Sequence, residues 1–87
     1  MTSQLAGIEP VRMELFREIV TRRDPTLMKS VLKTQNPTLD ERVRVESILS
    51  DELMANLTPP EYDFNERADQ VYALIEQFLT AYPIDEA

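Results

Sequence analysis

Carboxylates are the side chains of this 87-residue sequence whose spacing offers the most chemistry. Glu66 and Asp69 are three residues apart, which places them one turn apart on a helix, a geometry that holds Mg²⁺ in helical phosphohydrolases. A working metal site also needs a second pair on a facing helix. The preceding segment supplies Glu46, Asp51 and Glu52 without a clear one-turn pair. We therefore rank a metal-dependent hydrolase behind the two binding functions considered below.

The composition removes most other catalytic chemistry. The chain has no His and no Cys, so it lacks a side chain that titrates near neutral pH, a thiolate nucleophile and the nitrogen and sulfur ligands of metal sites. No disulfide can form, and no calcium-binding loop with its central Gly occurs. We therefore predict that the protein is not an enzyme and has no cofactor, no catalytic residues and no metal ligands.

Charge divides the chain between Arg44 and Val45. Residues 1–44 contain eight basic and six acidic side chains, a net charge of +2, whereas residues 45–87 contain one basic and ten acidic side chains, a net charge of −9. A surface of one sign can dock on a basic site, as inhibitors and immunity proteins of nucleases do. The alternative is a solvated face that only keeps a small protein in solution. The predicted acidic face contains Asp51, Glu52, Glu61, Asp63, Glu66, Asp69 and Glu76.

This charge distribution favours a small acidic protein-binding module as the function. Its most specific form is an inhibitor-, immunity- or antitoxin-like protein that uses the acidic face of its C-terminal half. The expected partner is another protein with a basic surface, whose identity the sequence does not give.

The basic N-terminal half supports an alternative function in nucleic-acid binding. Two predicted helices meet at Asp24-Pro25, as in a helix-turn-helix module, whose second helix enters the major groove. Here that second helix presents only two lysines and two hydroxyl side chains, and the isoelectric point of 4.4 is far from that of a lone DNA-binding module. We therefore rank nucleic acid below protein as the partner. The basic residues concerned are Arg12, Arg17, Arg22, Arg23, Lys29 and Lys33.

Four predicted helices position these residues. The single Gly leaves little means of making tight hairpin turns, and six prolines separate segments with helical periodicity. The expected N-terminal caps are Asp24, Thr38 in a capping box with Glu41, and either Asn65 or Asp63. We predict an all-α, small single-domain bundle of four helices with no sheet, the helices spanning about residues 10–23, 25–33, 38–57 and 64–82.

The first predicted helix has an apolar arc that is wider than one neighbouring helix requires. Its tightest stripe contains Ile8, Val11, Leu15 and Ile19, and the further apolar residues Met13, Phe16 and Val20 extend the arc to roughly 200°. Two neighbours within the bundle would bury such an arc completely. Otherwise Met13, Phe16 and Val20 form an apolar interface, either with another chain or in a homodimer.

The fourth predicted helix has the narrowest apolar stripe of the chain. Its members are Phe64, Ala68, Val71, Tyr72, Ile75, Phe78, Leu79 and Tyr82, which all fall within about 60° of one line. We predict that this stripe is buried, with Ile75 among the most important core residues.

The organisation is that of one domain covering residues 1–87, with frayed termini at residues 1–7 and 83–87. The first residues lack the basic and apolar regions of a secretory signal, and no apolar run approaches the ~20 residues of a membrane-spanning helix. We therefore predict a cytoplasmic protein without a membrane contact.

Overall fold

The computed structural model describes residues 5, 7–58 and 63–84 and contains four helices. In chain order, α1 to α4 are Pro10–Arg23, Pro25–Thr34, Leu39–Ala55 and Glu66–Ala81. The predicted all-α bundle of four helices is confirmed, and every helix ends within two residues of its expected boundary.

The helices begin where the sequence supplies chemistry for their free N–H groups. Pro10 opens α1, and the Asp24 carboxylate accepts a hydrogen bond from the Leu27 amide at the start of α2. The capping box of α3 is complete, because the Thr38 hydroxyl accepts from the Glu41 amide and the Glu41 carboxylate accepts from the Thr38 amide. The sequence left two candidate caps for α4, and the structure uses Asn65.

A minimal β-ladder joins the residues on either side of positions 59–62. The strands β1 (Leu57–Thr58) and β2 (Asp63–Phe64) have two residues each and pair antiparallel. This ladder is the one feature of the described chain that departs from the expectation of no sheet. It has only two rungs and leaves the all-α class of the fold unchanged.

The core lies where α1, α3 and α4 meet, with α2 covering the end of α1. The Phe16 and Phe78 rings stack at its centre with 5.7 Å between centroids, and Phe78 contacts Tyr82 at 5.3 Å. The Arg42 guanidinium lies 5.7 Å from the centre of the Tyr82 ring and covers that end of the core. The buried apolar residues are Leu5, Ile8, Met13, Phe16, Ile19, Val20, Leu27, Met28, Val31, Val45, Leu49, Ala68, Val71, Leu74, Phe78 and Tyr82.

Most of the wide apolar arc of α1 is buried within the chain, as in the first of the two alternatives that the sequence left open. Met13, Phe16 and Val20 are fully buried in the single chain, so the structure offers no exposed apolar interface at these positions. Val11 was expected in the core stripe but is 71% exposed. At 100° per residue, the three buried residues lie roughly 140–200° around the helix from Val11. In this orientation the Phe16 ring stacks on Phe78.

The buried face of α4 is also rotated slightly from the expected stripe. Leu74, which the stripe omitted, is fully buried, whereas Ile75 is only partly buried. Tyr72 was placed in the stripe but is 48% exposed. Ile75 therefore contributes less to the core than expected, and Leu74 contributes more.

Two residues of the N-terminal segment, Leu5 and Gly7, lie within the described part of the chain. Leu5 and Ile8 are buried, and Gly7 lies against the last turn of α4, where an added Cβ would approach the Ala81 Cβ to 2.6 Å. Residues 1–4 and 6 lie outside the described part of the chain. At the other end, Pro83 accepts a hydrogen bond from Arg42 through its carbonyl oxygen, and residues 85–87 are outside the description.

Among the described residues, no helix is both long enough and apolar enough to cross a membrane.

Candidate functional site

Glu52 does not belong to an exposed acidic face. Its side chain is 8% exposed and lies at the junction of three helices, where it accepts hydrogen bonds from Arg22 at 2.7 Å, Arg23 at 3.2 Å and Arg67 at 3.2 Å. Asn56 donates to the Glu52 backbone carbonyl at 2.8 Å. The expectation for Glu52 is wrong because two arginines of the basic half and the one arginine of the acidic half converge on it.

Opposing effects act on the pKa of Glu52. Burial raises this pKa, whereas the hydrogen bonds from Arg23, Arg67 and Arg22 lower it by more in total, so the net shift is downward. Glu52 is therefore ionised at neutral pH. Its charge is compensated within the chain and is not available to a partner.

The ion pairs that Glu52 forms also reduce the basic surface of the N-terminal half. Arg22 and Arg23 contact Glu52, and Arg12 forms an ion pair with Glu9 at 3.0 Å. Half of the six basic residues that suggested a nucleic-acid interface thus have carboxylate partners in the chain. Arg17 on α1 and Lys29 and Lys33 on α2 remain exposed, and this reduced patch counts against the nucleic-acid alternative.

The outer face of α4 keeps its carboxylates exposed. Glu66, Asp69 and Glu76 project from this face, and none forms an ion pair with a cation among the described residues. We call these three residues the α4 ridge. Asp51 is also exposed, but it lies on α3.

The side chains of two members of the predicted acidic face lie outside the described structure. Glu61 lies outside the described residues, and of Asp63 the structure describes only the backbone, which pairs in β2.

A groove separates α4 from α1, and polar contacts close both of its ends. At one end the Gln77 amide oxygen accepts from the Glu9 backbone amide at 2.9 Å. At the other end Arg67 donates to Glu18 at 2.7 Å. The first contact joins the start of α1 to the end of α4, and the second joins the later part of α1 to the start of α4. The two helices therefore run antiparallel along the groove.

Two adjoining cavities of about 600 and 610 Å³ form this groove. Both are lined by Arg12 and Ala73, so they are sections of one depression. Val11 and Leu15 contribute apolar surface in the first section, and Tyr72 contributes its ring in the second. We call this depression the α1/α4 groove.

Carboxylates outnumber cations along the α1/α4 groove. Its lining includes five carboxylates, Glu9, Glu14, Glu18, Asp69 and Glu76, and two guanidiniums, Arg12 and Arg67. Both guanidiniums already pair with carboxylates of the chain. Glu14 on α1 and the ridge residues Asp69 and Glu76 on α4 have no such partner in the described structure.

The predicted sites are thus only partly brought together. The structure joins Asp69 and Glu76 to a groove with a partly apolar floor that the sequence interpretation missed, because Val11 had been assigned to the core. The width of the apolar arc on α1 was the available signal that part of it would remain exposed. The described residues contain no group of three or more carboxylates placed to hold a metal ion.

Comparisons with protein-family models, with curated proteins and with solved structures found no match to this chain.

Proposed function

We propose that this protein is a small protein-binding module whose contact surface includes the acidic α4 ridge of Glu66, Asp69 and Glu76. The partner carries a basic surface. In its most specific form the protein is inhibitor-, immunity- or antitoxin-like and occupies a basic site of that partner, with negative charge where an anionic ligand would bind.

One observation supports this proposal above the others. The chain pairs the buried carboxylate Glu52 with three arginines, whereas the three exposed carboxylates of the α4 ridge have no ion pair with a cation of the described chain. A surface that served only solvation would more commonly intersperse both signs. Carboxylates left without cations on one helix face are instead suited to cations of another molecule.

The test compares two double variants that remove the same number of charges. The ridge variant is Asp69→Asn with Glu76→Gln, and the control is Asp40→Asn with Glu46→Gln on α3. Asp69 and Asp40 both lie in the first turn of their helices, so each loses a similar interaction with the helix dipole, about 0.3–1 kcal/mol. Circular dichroism and urea denaturation establish that both variants remain folded.

Affinity capture from the native cell with the wild-type chain then identifies the partner, and association rates are measured against salt concentration. We expect the ridge variant to associate at least about threefold more slowly than the control, because interface charges mainly accelerate encounter, and the difference should shrink as salt screens it. Equal association rates and equal salt dependence for the two variants would contradict the proposal.

A further inference from the structure

We propose that the α1/α4 groove binds a basic amphipathic helix of the partner protein. The apolar face of that helix would lie on Val11, Leu15 and Ala73, and its flanking lysines or arginines would meet the carboxylates of both rims. This inference deepens the proposed function and rests on it, because it names the segment of the partner that the acidic surface would recognise.

The floor of the groove provides the apolar contact. Val11 is 71% exposed, Leu15 and Ala73 are partly buried, and Tyr72 extends the apolar surface at one end with 48% of its area exposed. Ala73 is small, so it allows a third helix to approach the backbone of α4 closely. A helix seated here would cover apolar surface that the rest of the described chain leaves open.

Charge complementarity determines the chemistry of the occupant. Glu14 lies on the α1 rim, and Asp69 and Glu76 lie on the α4 rim, so the uncompensated carboxylates flank the floor on both sides. The two guanidiniums of the lining are already held by Glu9 and Glu18. An occupant with a central apolar stripe and cations on both edges matches this pattern, whereas an acidic helix would be repelled.

A helix suits this groove better than an extended segment. An extended peptide gains its main-chain hydrogen bonds from a sheet edge, and the groove is formed by two helices whose backbone groups are bonded internally. A helical occupant satisfies its own backbone and can pack between two antiparallel helices by the ridge-and-groove contacts of a bundle.

The polar contacts at the ends of the groove set the length of the recognised segment. Glu9, the residue before α1, and Glu18 are nine residues apart, and Arg67 and Gln77 are ten apart on α4. At 1.5 Å per residue the groove is about 14 Å long, which corresponds to roughly nine or ten residues of a bound helix. Apolar side chains at positions i, i+4 and i+7 of that helix fit within this length.

The experiment uses the full chain, labelled with ¹⁵N, and three synthetic peptides of the same length. The first peptide has leucines at i, i+4 and i+7 with lysines on the flanks. The second has the same composition with the leucines scrambled off the stripe, and the third keeps the stripe but carries glutamates in place of lysines. Titrations followed by amide chemical shifts report both the affinity and the location of binding.

We expect the first peptide to bind with a dissociation constant of about 10–100 µM and to shift the amides of residues 11–18 and 69–80. The scrambled and acidic peptides should bind at least about tenfold more weakly. Val11→Ser should weaken the first peptide by about three- to tenfold through lost apolar contact. The matched control Val43→Ser, at another exposed valine on α3, should leave its affinity unchanged.

Each alternative outcome would overturn the inference. Equal binding of the scrambled peptide would mean that charge alone attracts it, and equal binding of the acidic peptide would mean that the rims do not select charge. Amide chemical-shift changes on the exposed face of α3, or no binding of the striped peptide, would show that the groove does not bind this helix. None of these outcomes changes the expected difference between the ridge and control variants towards the native partner, so the proposed function is tested separately.

Discussion

Removal of the Glu52 charge is the most decisive test of how this chain holds its helices together. Glu52 on α3 receives hydrogen bonds from Arg22 and Arg23 at the end of α1 and from Arg67 at the start of α4. In Glu52→Gln the side chain keeps its size, but one oxygen becomes an NH₂ group, which faces either the guanidiniums of Arg22 and Arg23 or that of Arg67. The variant therefore removes the charge that brings three helix ends together.

The expected cost follows from the exposure of the groups involved. Loss of one partner from a fully buried ion pair costs about 3–5 kcal/mol. Here the side chains of Arg22, Arg23 and Arg67 are 54, 36 and 33% exposed and can be rehydrated. We therefore expect Glu52→Gln to lower the free energy of unfolding by about 2–3 kcal/mol at pH 7. The neighbouring exposed carboxylate provides the control, because Asp51→Asn should change stability by less than about 0.5 kcal/mol.

Acid titration supplies an independent check on the same interaction. The pKa of Glu52 in the folded chain is below its ordinary value of 4.5, so its stabilisation is present above that value and is lost as pH falls through the folded pKa. Protonated Glu52 resembles Gln. The stability difference between wild type and Glu52→Gln should thus shrink progressively below about pH 5.

Urea denaturation followed by circular dichroism from pH 7 to pH 3 measures both effects. If Glu52→Gln were no more destabilising at pH 7 than Asp51→Asn, the hydrogen bonds between Glu52 and the three arginines would not contribute to the stability of the fold. A difference that stayed constant down to pH 3 would refute the reasoning about the pKa.

Two further predictions concern packing. Leu74→Ala should cost about 2–5 kcal/mol because Leu74 is fully buried, Ile75→Ala should cost less, and thermal denaturation giving the reverse order would contradict the observed orientation of α4. Gly7→Ala should cost about 1–3 kcal/mol because Gly7 has a φ of 87° and an added Cβ would meet Ala81. Ala81→Gly in the same chain should recover part of that loss, and a purely additive double variant would show that the contact with Ala81 is unimportant.

The helix boundaries could be predicted because their determinants are local in sequence. Pro10 begins α1, and the Thr38 and Glu41 side chains complete a capping box across three residues. Such interactions involve no distant partner, so the sequence contains all the information that they need. For α4 the local sequence contains two residues that could cap the helix, Asp63 and Asn65, and the structure uses Asn65.

The rotation of α1 about its axis could not be predicted in this way. An apolar arc of roughly 200° is compatible with several orientations, and periodicity alone does not select one. The choice depends on contacts with distant residues, above all the stack of Phe16 on Phe78. In the observed orientation Met13 and Val20 are buried together with Ile8 and Ile19 of the expected stripe, and Val11 is the member of the arc that stays exposed.

The pairing of Glu52 is likewise a property of the tertiary fold. Arg22 and Arg67 are 30 and 15 residues away in sequence, so no local pattern distinguished Glu52 from the exposed Asp51 beside it. A hint was present, since Arg67 is the only cation among ten carboxylates in residues 45–87. A lone cation in such a segment is a plausible partner for a buried carboxylate, but the sequence does not say which one.

The charge asymmetry of the chain therefore has two physically different components. One component is internal, because Glu52 and Glu18 compensate arginines that join α1, α3 and α4, and its removal should weaken the fold. The other component is the α4 ridge, whose carboxylates contact no cation of the described chain, and its removal should leave stability nearly unchanged apart from the dipole interaction at the start of α4. Net charge alone cannot separate these components, since every carboxylate contributes equally to it. Their different effects on the free energy of unfolding separate them, and the second component is the one that stays on the exposed surface of α4.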